Sequence, residues 1–145
     1  MEKGFRIYNW CKNSINYIGT SDKSHWTKGA YDGFTTLQGD CFTYAACAKA
    51  MFDVIGVDNF IIERCDPTTS THFWNLVQMD GQWYFADCSR TNTPMNAYLL
   101  TDSELDALNF VHGYRYHFDP TGLPNRATVS IQYRLNYYTL SVSED

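Results

Sequence analysis

The chain has 145 residues, 44% hydrophobic, 19% charged and 17% aromatic, with a formal net charge of -5. That length and composition suit one globular domain, residues 1–145, with a core of its own, and exclude a disordered chain. An acidic balance disfavours nucleic acid as the partner, and no apolar run nears the roughly 20 residues that span a bilayer.

In chain order, Tyr8, Cys11, Ile15 and Ile18 recur at helical spacing with Ile7 and Trp10 beside them. With Gly19 as the stop, the pattern predicts an amphipathic helix over about 4–18. A polar loop from Thr20 to Ser24 leads to a short helix around Lys28 to Thr35. Gly39 and Asp40 punctuate the chain again, and Asp40 is suited to cap a helix whose first residue is Cys41. That helix, Cys41 to Ile55, ends at Gly56 and is apolar nearly all round, so it is expected to be buried at the centre of the fold.

Phe60 to Ile62 give a strand running towards Cys65. His72 to Met79, Asp80-Gly81 and Gln82 to Cys88 form the strongest short hairpin signal in the chain. Thr101-Asp102-Ser103-Glu104 reads as a capping box for a helix to about Asn109. Two further strands are expected: Tyr114, Tyr116 and Phe118 alternate with polar residues, and so do Val129, Ile131, Tyr133 and Leu135. After Tyr137 the apolar phase flips to Tyr138, Leu140 and Val142, the mark of a bulge or a change of partner. Helices first and an antiparallel sheet afterwards make the class α+β.

Five cysteines are an odd number without a C-x-x-C pair: Cys11, Cys41, Cys47, Cys65 and Cys88. Neither a disulfide framework nor a zinc knuckle is indicated, and most are expected as small core residues. Cys41 differs because a thiol at a helix N-terminus meets unpaired N–H groups and the positive end of the helix dipole. With an imidazolium beside it, such a thiol can fall well below its free pKa of about 8.5. Asp40 opposes this unless capping draws its carboxylate to the backbone.

The hairpin supplies the partners. If Asp80 and Gly81 are the loop, Met79 pairs with Gln82, and His72, Trp74, Asp87 and Ser89 all lie on one face. His72 and Asp87 are then diagonal neighbours within side-chain reach. Nucleophile, base and orienting acid make a set with no shared structural reason, although a lone Cys or His in such a place is more often a core residue, and Asp87 alone could merely cap the following turn. His25, His112 and His117 are weaker candidates for the base. The Cys41 N–H can donate to an oxyanion; the second donor is Gln38, Tyr31 or Trp26, with Gln38 and Tyr31 ahead. Trp74 and Trp26 are candidates for substrate contact, and core filling accounts for Trp74 as well.

Gly39-Asp40-Cys41 with Phe42, Tyr44 and Ala45, then Gly56-Val57, His72-Phe73-Trp74-Asn75 and Asp80-Gly81-Gln82-Trp83-Tyr84-Phe85-Ala86-Asp87 resemble the transglutaminase-like superfamily. The resemblance covers about residues 28–90. It implies a papain-like α+β core, a triad of Cys41, His72 and Asp87, and a protein or peptide substrate; with the acidic residues scattered and no calcium loop, no cofactor and no metal are expected. It also looks like the bacterial, secreted or cell-surface versions, often one module among neighbouring domains of a longer chain; no signal peptide is present. Acyl transfer on a peptide or carboxamide bond is the expected chemistry, to water (peptidase or amidase) or to an amine (transglutaminase). The alternatives are a non-catalytic protein-binding module on the same scaffold, arylamine acetyltransferase-like chemistry, and a zinc site through Cys41, His72 and Cys88.

Overall fold

The computed structural model describes residues 1–65, 71–90, 96–113 and 115–135. Three helices precede the sheet: α1 (Glu2–Ser14), α2 (Trp26–Thr36) and α3 (Cys41–Val54). Four antiparallel strands follow in spatial order β3-β4-β5-β6: β3 (Asn59–Glu63), β4 (Phe73–Met79), β5 (Gln82–Ala86) and β6 (Tyr98–Leu100). Helix α4 (Asp102–His112) lies against β5 and β6. The class is α+β, as the sequence led us to expect.

α3 is buried along most of its length, and α1, α2 and the central strand β4 all pack on it. Its approach to α2 depends on small residues. A Cβ on Gly29 would press on the Phe42 ring, and one on Gly33 would collide with Cys47 and Thr43. Asn75 in β4 ties the sheet to this helix, donating from Nδ2 to Ala45 O at 3.0 Å.

β4 is buried on both faces. Phe73, Val77 and Met79 join the side that includes α3 residues, while Trp74 and Leu76 join Leu105 of α4 and Tyr116 on the other. Asp80 and Gly81 have φ of 51° and 75°, the left-handed pair a two-residue hairpin needs, and Met79 pairs with Gln82 as the sequence predicts. The α4 capping box is present, Thr101 and Glu104 each satisfying the other's backbone N–H.

Four expectations need correction. α1 stops at Ser14, because Ile15 turns extended and Asn16–Tyr17 (β1) pair in parallel with Gln38–Gly39 (β2). Ile15 is core, but Ile18 is exposed, so its helical spacing was accidental. Residues 115–118 are not a strand: Asn109 bonds both the N–H and the C=O of Tyr116, standing in for a neighbouring strand. Residues 132–135 are helical, with Val129 and Tyr133 74% and 72% exposed and Ile131 and Leu135 8% and 1%. A buried pair four apart is a helical face, and the alternation was only its shadow. β6 had no recognisable pattern. Tyr114 and the phase change at Tyr138, Leu140 and Val142 lie outside the described residues.

Candidate active site

The start of α3 is built with care. Asp40 caps it, accepting from Phe42 N at 3.1 Å, and Thr43 returns the bond to Asp40 N at 3.1 Å. A Cβ on Gly39 would collide with that Thr43 side chain, so the turn into the helix requires glycine. The Asp40 carboxylate also takes Ser21 Oγ at 2.7 Å and Lys23 Nζ at 2.6 Å. Its charge is thereby turned towards the backbone and a cation, one of the outcomes the sequence left open.

Cys41 follows the cap. Its Sγ lies 3.9 Å from Thr71 O, and the Phe73 N–H also acts on the thiol. The sulfur therefore sits against the backbone on both sides of His72. The thiol is raised from its ordinary value, first by burial and then by the charges of Asp40 and Asp87, which outweigh the two backbone N–H groups of Phe73 and Phe42. The helix terminus alone does not make a thiolate here, contrary to expectation; desolvation is the stronger effect.

His72 stands where β4 begins. Its Nε2 is 2.9 Å from Asp87 Oδ2, which confirms the hairpin register at the level of side chains. The imidazole stacks on Trp74 with ring centroids 5.6 Å apart and meets the edge of Tyr116 at 5.4 Å. Asp87 is buried and held from all sides. Oδ1 accepts from Ser89 N at 2.9 Å, and Oδ2 accepts from Tyr116 Oη at 2.6 Å. Burial alone would raise its carboxyl, but the charge and hydrogen bond of His72, with Arg115 and Tyr116, hold it well below the usual carboxylate range. Arg115 Nε lies 3.2 Å from His72 Nε2 and 3.8 Å from Asp87 Oδ2.

The other candidates divide. Trp26 packs beside Cys41, Phe42 and Phe73, with Lys49 Nζ 5.0 Å over its ring. Trp74, expected as a substrate contact, is wholly buried beneath His72 and offers a ligand no surface. Tyr31 is exposed on α2 with Lys28 near its ring, and Gln38 is exposed in the β1–β2 ribbon. Cys88 belongs to the core cluster of Cys11 and Cys47, away from the zinc set imagined for it. Among the described residues no group of three or more His, Cys, Asp or Glu could hold a metal, and no helix is long and apolar enough to cross a membrane.

Sequence reasoning missed Tyr116, Arg115 and Lys23, and placed Ser89 beside Asp87 without its backbone bond to that carboxylate. Tyr116 and Arg115 were read as alternating residues of a strand, and no local signal ties a residue after α4 to a hairpin about 30 positions earlier. Tyr17 was missed as well; the charges of Cys41, Asp40, Arg115 and Lys23 all act on its hydroxyl, which burial chiefly raises.

Comparison with known proteins bears on the family and the fold. No curated protein matches the sequence. Among solved structures, a protein of Cytophaga hutchinsonii described as a putative cysteine protease is similar with a TM-score of 0.50 at 20% identity, over 71% of this chain and 33% of that one. A structure described as a TGase gives a TM-score of 0.49 at 10% identity, over 74% and 32%. The chain thus spans about a third of the length of either. The transglutaminase-like superfamily model matches residues 1–88, more than half the chain and the whole stretch from α1 through Asp87. With that match and this fold, the chain belongs to the transglutaminase-like superfamily.

Proposed function

We propose that the protein is a cysteine-dependent acyl-transfer enzyme acting on peptide or carboxamide bonds, with Cys41 as nucleophile, His72 as base and Asp87 as orienting acid. One observation carries the reading: the Cys41 sulfur rests on the backbone either side of His72, while His72 Nε2 meets a buried, ionised Asp87 at 2.9 Å. With Nε2 given to Asp87, Nδ1 is the nitrogen left to take a proton.

The sulfur attacks the carbonyl carbon, and its proton passes to His72 Nδ1. The tetrahedral oxyanion faces the N–H of Cys41, since the next N–H groups of α3 are taken by Asp40, Phe42 N by its carboxylate and Thr43 N by its carbonyl. Collapse breaks the C–N bond, and the leaving amine takes the proton from His72. Water or an amine then attacks the thioester, with His72 again as base, and the thiol is restored. Because burial raises the thiol, the proton must leave during attack, so the base is indispensable. Hydrolysis is the reading we favour between the two acceptors. Trp26, beside the sulfur, is the aromatic surface best placed for substrate.

Incubation with a peptide library and a primary amine, read by mass spectrometry, tests this. Cleaved or deamidated peptides with the native chain and none with Cys41→Ala are expected. Amine adducts would mark transfer instead, and no product of any kind would favour a binding module, a reading that the raised thiol keeps in play.

A further inference from the structure

We propose that Arg115 is a positioning residue that withholds His72 from its working tautomer until the guanidinium leaves Nε2. The proposal rests on His72 being the base. Its ground is a conflict at one atom. Nε2 is 2.9 Å from Asp87 Oδ2, which can only accept, and 3.2 Å from Arg115 Nε, which can only donate. A single ring nitrogen either carries a proton for the carboxylate or offers its lone pair to the guanidinium. It cannot do both.

The two choices have opposite consequences at the far side of the ring. With the proton on Nε2, Asp87 is satisfied and Nδ1 is free to accept from the thiol. With Nε2 accepting from Arg115, the proton sits on Nδ1 and the imidazole has nothing to accept with there. Asp87 tolerates the second state because Tyr116 Oη and Ser89 N already donate to it, and Arg115 Nε remains within 3.8 Å. Other groups around the pair include Cys41 and Tyr8, on which the charge of Asp87 acts, Tyr17, on which that of Arg115 acts, and Lys12 of α1, on which both act.

Arg115 is less enclosed than Asp87 or Tyr116, although its guanidinium also lies 6.0 Å from the Tyr116 ring centroid. Its side chain is 30% exposed, against 2% for Asp87, and it lies after the end of α4 rather than within a strand. The imidazole is fixed by stacking on Trp74 and by the Tyr116 edge, so the guanidinium is the part that gives way.

The test is the His72 tautomer, read from two-bond proton–nitrogen spectra of nitrogen-15-labelled protein, with the His72 signal assigned by its loss in His72→Gln. The native chain is expected to carry the proton on Nδ1, and Arg115→Gln, or Arg115→Ala should that variant not fold, on Nε2. Alkylation of Cys41 by iodoacetamide is expected to rise about tenfold or more in the same variant, the scale on which one neighbouring charged donor shifts a protonation equilibrium. The same tautomer in both proteins, or an unchanged alkylation rate, overturns the proposal. Failure of the base itself reads differently: alkylation as fast in Arg115→Gln with His72→Ala as in Arg115→Gln alone shows that the gain does not pass through His72, whatever the spectra report.

Discussion

Asp87 combines burial with charge, and that combination is stable only because three side chains and one backbone N–H surround it. Replacing it with alanine leaves His72, Tyr116 and Arg115 facing an empty place, at an expected cost of about 3–5 kcal/mol. Its folded pKa is depressed, so the unfolded chain binds more protons near and below the free carboxyl value of about 3.9. The stability it confers is therefore present above about pH 4 and lost as pH falls towards the folded value. Urea unfolding of the native chain and Asp87→Asn at neutral and acid pH checks this; the difference between them is expected to shrink on acidification. The pairing of His72 with Asp87 was legible because the Asp80-Gly81 turn fixes parity along both strands. Tyr116 and Arg115 were not legible, since their contact with the pair depends on how the segment after α4 folds back.

Elements with local grammar were read well, and those without it were not. Asp40 and Thr43 announce the start of α3, as Thr101 and Glu104 announce α4, because capping is a contest among residues three apart. The strand wrongly expected at 129–135 shows the opposite case. Ile131 and Leu135 satisfy both a period of two and a helical spacing of four, and only the packing decides which face is buried. The same logic identifies Gly39 as the residue on which the position of Cys41 depends. Gly39→Ala must displace Thr43 and open the capping box, with an expected loss of about 1–3 kcal/mol from overpacking and the lost cap. The urea midpoint measures that loss, and Cys41 reactivity should change with it.

At the scale of the molecule, helices stack on one face of the sheet and α4 covers the other, and the site opens where α3 and β4 both begin. This arrangement leaves three cysteines deep in the core, where burial holds Cys47 at about 12, and a hydrogen bond with Cys88 followed by burial pushes Cys11 well above its ordinary value. Cys11 and Cys47 should stay silent in the folded protein, and labelling there would report unfolding rather than function. The measurement that bears most directly on Cys41, His72 and Asp87 acting together is the alkylation rate of Cys41 in the native chain, His72→Ala, Asp87→Ala and the double variant. Losses in groups that work as one unit do not add, so the double variant should fall hardly further than His72→Ala alone, with Asp87→Ala between that and the native chain. Equal rates in all four proteins would contradict the account.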